Sequence, residues 1–166
     1  MKDWAIDAYG LQAAHRRSVL GRLRDAHRLH VSPLTWFPRQ MTRSGEGRHQ
    51  AEPRAAANLP SIGPGSRRDR RGKLTGMDAS LHALHRRGVL VVDDNECNPQ
   101  AIAAVEGSWK DAGLIGRPTD ETLAAIIHAD RLGMDLVTED TDVRMLAGHW
   151  QVQTMTVSDL ASSLAA

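Results

Sequence analysis

Only one cysteine, Cys97, stands in the 166 residues. A lone thiol excludes an internal disulfide and a cysteine-rich zinc site, both of which need further thiols. Aromatic residues are scarce at 4%, so any core must be built mainly from Leu, Val, Ile, Ala and Met. No apolar run approaches the roughly 20 residues that cross a bilayer. The start, Met1-Lys2-Asp3-Trp4, lacks a signal-peptide layout, because Asp7 and His15-Arg16-Arg17 interrupt any apolar segment. These absences predict a cytoplasmic protein with no membrane partner. The length suits one domain with a real hydrophobic core.

The net charge of +1 hides an asymmetry. Residues 1–73 carry 15 Lys/Arg against 6 Asp/Glu, and residues 74–166 carry 6 against 14. A basic half joined to an acidic half suits a protein that grips a polyanion with one part and metal ions with the other. The plainer alternative is that the halves attract and solvate each other.

Trp4-Ala5-Ile6-Asp7 reads as a buried first strand ending in a carboxylate. From Leu11 to about His27 the apolar spacing predicts a helix with a basic outer face of Arg16, Arg17, Arg22, Arg24 and Arg28. Leu29-His30-Val31 reads as a second strand closed by Ser32-Pro33, with a further helix starting within Leu34–Met41. Residues 42–73 change character. They are rich in Gly and Pro and carry Arg67, Arg68, Arg70, Arg71 and Lys73, which predicts a flexible basic insertion able to hold nucleic acid.

The second half is regular. Asp78–Arg87 reads as a helix, Val89–Val92 as a strand buried on both faces, and Pro99–Ala112 as a helix. Thr119 caps a clear helix that Gly133 ends at Leu132. Leu136–Thr138 is a strand, Val143–Gly148 a short helix, Val152–Val157 a last strand, and Ser158 or Asp159 starts a final helix. Strands alternating with helices, without hairpin signals, predict an α/β fold. Its Rossmann-like parallel sheet would be flanked by helices on both faces.

In such folds ligands bind beyond the carboxyl ends of the strands, where helix N-termini also point. Asp7 follows the first strand, Asp140 and Asp142 follow Leu136–Thr138, and Asp120 opens the helix leading back into that strand. Asp120 shares a face with Leu123, Ala124 and Ile127, which predicts that it points inward. Crowded carboxylates repel unless cations bind, and oxygen-only ligation is what Mg²⁺ or Mn²⁺ prefers. Taken singly, Asp120 is a helix-end charge, and Asp140 and Asp142 are loop caps. Taken together, they make a candidate metal site.

The run Asp120-Glu121-Thr122-Leu123-Ala124-Ala125, then Gly133-Met134-Asp135-Leu136-Val137-Thr138-Glu139-Asp140, then Asp142-Val143, resembles the C-terminal half of the PIN-domain nucleases. Ile6-Asp7-Ala8 is similar to the family's opening strand and first aspartate. The resemblance covers about the last 50 residues well and the first 40 partly. It is absent across 42–73. It implies a PIN-like ribonuclease dependent on Mg²⁺ or Mn²⁺. Asp7, Asp120 and Asp140 would hold metal, and Asp142 would assist. It also implies RNA as substrate, with an antitoxin partner and a homodimer as further expectations. One departure stands out: where the family has a glutamate after the second strand, this chain has Pro38, Arg39 and Gln40. Glu46 or Glu52 would have to substitute. Without a substitute, the alternative is a PIN-like module that binds nucleic acid or protein and no longer cleaves.

Other signals compete. Val89–Glu96 is similar to the opening of a receiver domain, with Asp140 as phosphoacceptor. Only 26 residues follow Asp140, however, and no lysine follows Lys110. On that view Asp93 and Asp94 are strand-end and turn residues. His82 and His85 stand at a helical chelating interval without an apparent third ligand. Trp36, Trp109 and Trp150 read as partial-core residues.

Overall fold

The structure is a computed structural model that describes residues 2–36, 76–93, 98–116 and 118–165. The predicted basic insertion, with Arg67, Arg68, Arg70, Arg71 and Lys73, lies outside the described residues, as do Glu46, Glu52, Asp94 and Cys97.

Five parallel strands form one sheet: β1 (Lys2–Ile6), β2 (His27–Val31), β3 (Leu90–Val92), β4 (Leu136–Val137) and β5 (Thr154–Met155), in the order β3-β2-β1-β4-β5. The described helices are α1 (Ala8–Arg16), α2 (Pro33–Trp36), α3 (Gly76–Arg86), α4 (Pro99–Asp111), α5 (Asp120–Leu132), α6 (Thr141–His149) and α7 (Val157–Ser163). The alternation of side chains along each strand sorts them into two cores. Trp4, Ile6, Leu29, Val31 and Val137 pack with Leu11 of α1, Leu81 of α3 and Leu160 of α7. Ala5 and Leu136 pack on the opposite face with Val105 of α4, Leu123 and Ile126 of α5, and Leu146 of α6. Each fully buried Leu or Ile contributes about 1.5–3 kcal/mol. The fold is a Rossmann-like α/β/α sandwich. Among the described residues no helix is long and apolar enough to cross a membrane.

The chain winds outward from β1 to β3 and then returns to add β4 on the other side of β1. The order therefore reverses between β1 and β4, and at that point the loops leaving the two strands diverge to form a crevice. A receiver-like order places β1 between β2 and β3. Here β1 lies between β2 and β4, and Asp93 at the end of β3 is separated from Asp140 beyond β4 by two intervening strands, β2 and β1.

The continuous helix expected over Leu11–His27 is broken. α1 ends at Arg16, Ser18 takes a left-handed φ of 56°, and a 3-10 turn over Leu20–Arg22 follows. The break turns Val19, Leu20 and Leu23 into the core, a gain no straight helix offers. A serine in a seat usually given to glycine left no stop signal in the sequence. The last strand is also shorter than expected, because Thr156 and Asp159 form a capping box that starts α7 at Val157.

Candidate active site at the β1–β4 crevice

Asp7 leaves the end of β1 and caps α1. Its Oδ1 accepts a hydrogen bond from Gly10 N at 2.6 Å, and its Oδ2 accepts one from the Thr138 hydroxyl at 2.6 Å. α1 can approach so closely only because residue 10 is glycine. A Cβ there would stand 2.4 Å from Val137 O and 2.9 Å from Ile6 Cγ1. Asp7 is 1% exposed. Burial, partly offset by its hydrogen bonds, pushes its carboxyl from 3.8 up to about 7, and the Asp140 carboxylate adds to the rise.

Asp140 follows β4 and caps α6, its Oδ1 accepting from the backbone N–H of Asp142 and Val143 at 2.9 Å each. Capping therefore engages one carboxylate oxygen, and Asp140 remains half-buried beside Asp7. Asp142 lies in the first turn of α6, also half-buried, with its backbone N–H engaged by that cap.

Thr119 caps α5 by accepting from Thr122 N at 3.2 Å, and Gly133 ends the helix at a φ of 62°. This helix is buried nearly all round, from Glu121 through Ile126 and again at His128 and Ala129. Asp120, in its first residue, is half-buried. Its neighbour Glu121 goes deeper, where the sequence reading had not placed a functional carboxyl. The Thr35 hydroxyl donates to Glu121, while Glu121 Oε2 is buried and has no hydrogen-bond partner among the described residues. Burial, with the charge of Asp7 second, pushes Glu121 from 4.5 up to about 8.

The crevice thus gathers carboxyls from three separate stretches: Asp7, Glu121 and Asp140. Among the described residues no three His, Cys, Asp or Glu side chains are arranged as a ready-made metal cage. The donors are nonetheless all oxygen, one of them buried and unpartnered, and that chemistry fits Mg²⁺ or Mn²⁺.

A second polar cluster lies on the α4–α5 face. Asp93 Oδ2 stands 2.6 Å from His128 Nε2 and 3.2 Å from His30 Nδ1, and an Arg131 guanidinium N–H faces His128 Nδ1 at 3.4 Å. Asp93, expected as a plain strand-end residue, therefore joins β2, β3 and α5. His82 and His85 pack their rings against the buried Trp36, at 5.1 and 4.8 Å between centroids. Part of the basic N-terminal half is engaged internally. Arg17 meets Glu139 and Ser158, Arg22 donates to Ala161 O, and Lys2 donates to Ser163 O. Arg16 and Arg24 are exposed.

No family model matches the chain, and no curated protein matches it. It is similar to the crystal structure of PAE2754 from Pyrobaculum aerophilum, at 19% identity with a TM-score of 0.51 over 99% of this chain and 98% of that one. At this identity the likeness is one of fold.

Proposed function

We propose that the chain is a nuclease dependent on Mg²⁺ or Mn²⁺ that hydrolyses RNA, of the kind its resemblance to PIN domains implies. The observation that carries this reading is the placing of Asp7 and Asp140 just beyond the carboxyl ends of two adjacent parallel strands, at the point of strand-order reversal, with Asp7 buried and charge-burdened. Capping α1 needs only a neutral acceptor such as Asn or Ser, which would avoid the cost of burying a carboxyl.

Asp7 and Asp140 would hold the ion, with Asp120 and Asp142 at the margin of the crevice. A divalent ion bound there supplies an activated water and neutralises charge on the phosphodiester. The protein's own contribution is positional. Gly10 N and the Thr138 hydroxyl fix both oxygens of Asp7, and the cap of α6 fixes Asp140. The exposed Arg16 and Arg24, and the Arg67–Lys73 segment of the sequence, supply cationic charge for the RNA backbone.

Labelled single-stranded RNA incubated with Mn²⁺ or EDTA tests the reading, alongside Asp7→Asn, Asp120→Asn and Asp140→Asn. Cleavage should need the metal and vanish in Asp7→Asn and Asp140→Asn. Salt-sensitive binding without cleavage would instead indicate a nucleic-acid-binding module. The absence of both cleavage and binding would remove the RNA assignment altogether.

A further inference from the structure

We propose that Glu121 is a metal-holding residue of this site, supplying from α5 the carboxylate that the resemblance expects after β2 and that Pro38, Arg39 and Gln40 do not provide. The inference rests on the nuclease reading and deepens it.

Three observations converge on Glu121. It stands in the first turn of α5, at the end of the helix that faces the carboxyl ends of the strands, and its side chain turns inward to lie in the electrostatic reach of Asp7. It is 8% exposed, and one of its oxygens, Oε2, has no hydrogen-bond partner among the described residues. Its other anchor is Thr35 of α2, so the carboxyl is held from the element that follows β2 even though it grows from α5.

A buried carboxyl oxygen without a donor is rare, because leaving it unmet costs about as much as a lost hydrogen bond. The first turn of a helix favours an acid, but a solvated one serves that purpose, and turning Glu121 inward adds the cost of burying its carboxyl. A divalent cation between Glu121 and Asp7 satisfies the orphan oxygen and removes the repulsion between the carboxylates. Asp120, one residue earlier, is half-buried. The two adjacent acids thus divide the work, with Glu121 inside against the ion and Asp120 at the margin.

The test is Mn²⁺ binding, read by the loss of the free-ion electron paramagnetic resonance signal at pH 8. The whole chain would be compared with Glu121→Gln, Glu121→Asp and Asp7→Asn. Glu121→Gln keeps the shape and should weaken Mn²⁺ binding at least tenfold while raising the melting temperature of the metal-free protein. Glu121→Asp withdraws the carboxylate by one methylene and should bind between the two; it decides the matter if the Gln variant does not fold. Wild-type affinity in both Glu121 variants, with loss in Asp7→Asn, would overturn the role of Glu121 and leave the nuclease reading standing. Absence of Mn²⁺ binding by the wild type at millimolar ion would overturn both.

Discussion

The Thr138 hydroxyl donates to Asp7 Oδ2 at 2.6 Å across 131 positions of sequence, joining the ends of β4 and β1 where the sheet reverses order. The same hydroxyl accepts from Asp140 N at 3.2 Å, so one side chain orients both acids. Thr138→Val should therefore cost about 1–3 kcal/mol at pH 8, where Asp7 is charged and loses its donor. Urea unfolding at pH 8 measures this. Equal midpoints for the two proteins would show that the hydroxyl contributes nothing.

The raised carboxyls set a pH dependence of a definite sign. Asp7 moves from 3.8 to about 7 and Glu121 from 4.5 to about 8, so between pH 4 and 8 the folded chain keeps protons that the unfolded chain releases. Stability is then full below about pH 4 for these two groups and declines as pH rises to about 8. The metal-free protein should melt lower at pH 8 than at pH 5, and Asp7→Asn should flatten the slope. Mn²⁺ should restore stability at pH 8, since it replaces the missing protons. Thermal melts at both pH values, with and without EDTA, check each part. Because buried His128, lowered on folding, contributes the opposite slope below pH 6.5, the result that contradicts the placement of the acids is an Asp7→Asn slope equal to that of the wild type.

Gly10 makes a different prediction, independent of charge. A methyl group at this position meets the Val137 carbonyl oxygen, which is backbone and cannot swing aside. Gly10→Ala should displace α1 from the β1–β4 boundary and cost about 1–3 kcal/mol, the usual range for overpacking. Helix propensity alone predicts the opposite sign, since alanine is favoured over glycine inside a helix by about 1 kcal/mol. Chemical denaturation separates the two: a stabilised variant would mean that the approach of α1 to β4 is looser than the structure shows.

The strands, the parallel arrangement and the nearness of Asp7 to Asp140 at the carboxyl edge were legible because each follows from local pattern. Val89–Val92 is apolar enough to announce a strand, although β3 lies at the edge of the sheet and Val91 and Val92 are half-buried where burial on both faces was expected, and Thr119 and Gly133 bracket α5 by their capping chemistry. What failed locally was the end of α1, where the pull of Val19 and Leu20 toward the core overrides helical continuity. Inward-pointing Asp120 was inferred from one apolar face, but α5 is buried on several faces, and periodicity cannot choose between adjacent acids on such a helix. The choice falls on Glu121 because Asp7 and Thr35 meet it in space. His30, Asp93 and His128 were illegible for the same reason, since residues so far apart in sequence announce no common interval.

That last cluster can be tested by its response to acid. His128 is 1% exposed, and its Nδ1 accepts from Arg131, so Nε2 carries the proton donated to Asp93. Burial, the dominant cause, lowers the pKa of His128 below 6.5, while the Asp93 charge and hydrogen bond work the other way; Arg131 and His30 lower it further. A histidine lowered on folding holds its stability above pH 6.5 and loses it as pH falls through the folded value. Asp93→Ala removes the groups' shared acceptor and should cost about 1–3 kcal/mol at pH 8, the penalty for a buried donor left unmet. It also removes the influence that helps His128 accept a proton, so the gap between variant and wild type should widen from pH 8 to pH 5.5. Urea midpoints at the two pH values measure that gap. If it is constant, Asp93 acts only as a neutral hydrogen-bond acceptor, and its charge does not reach the imidazole.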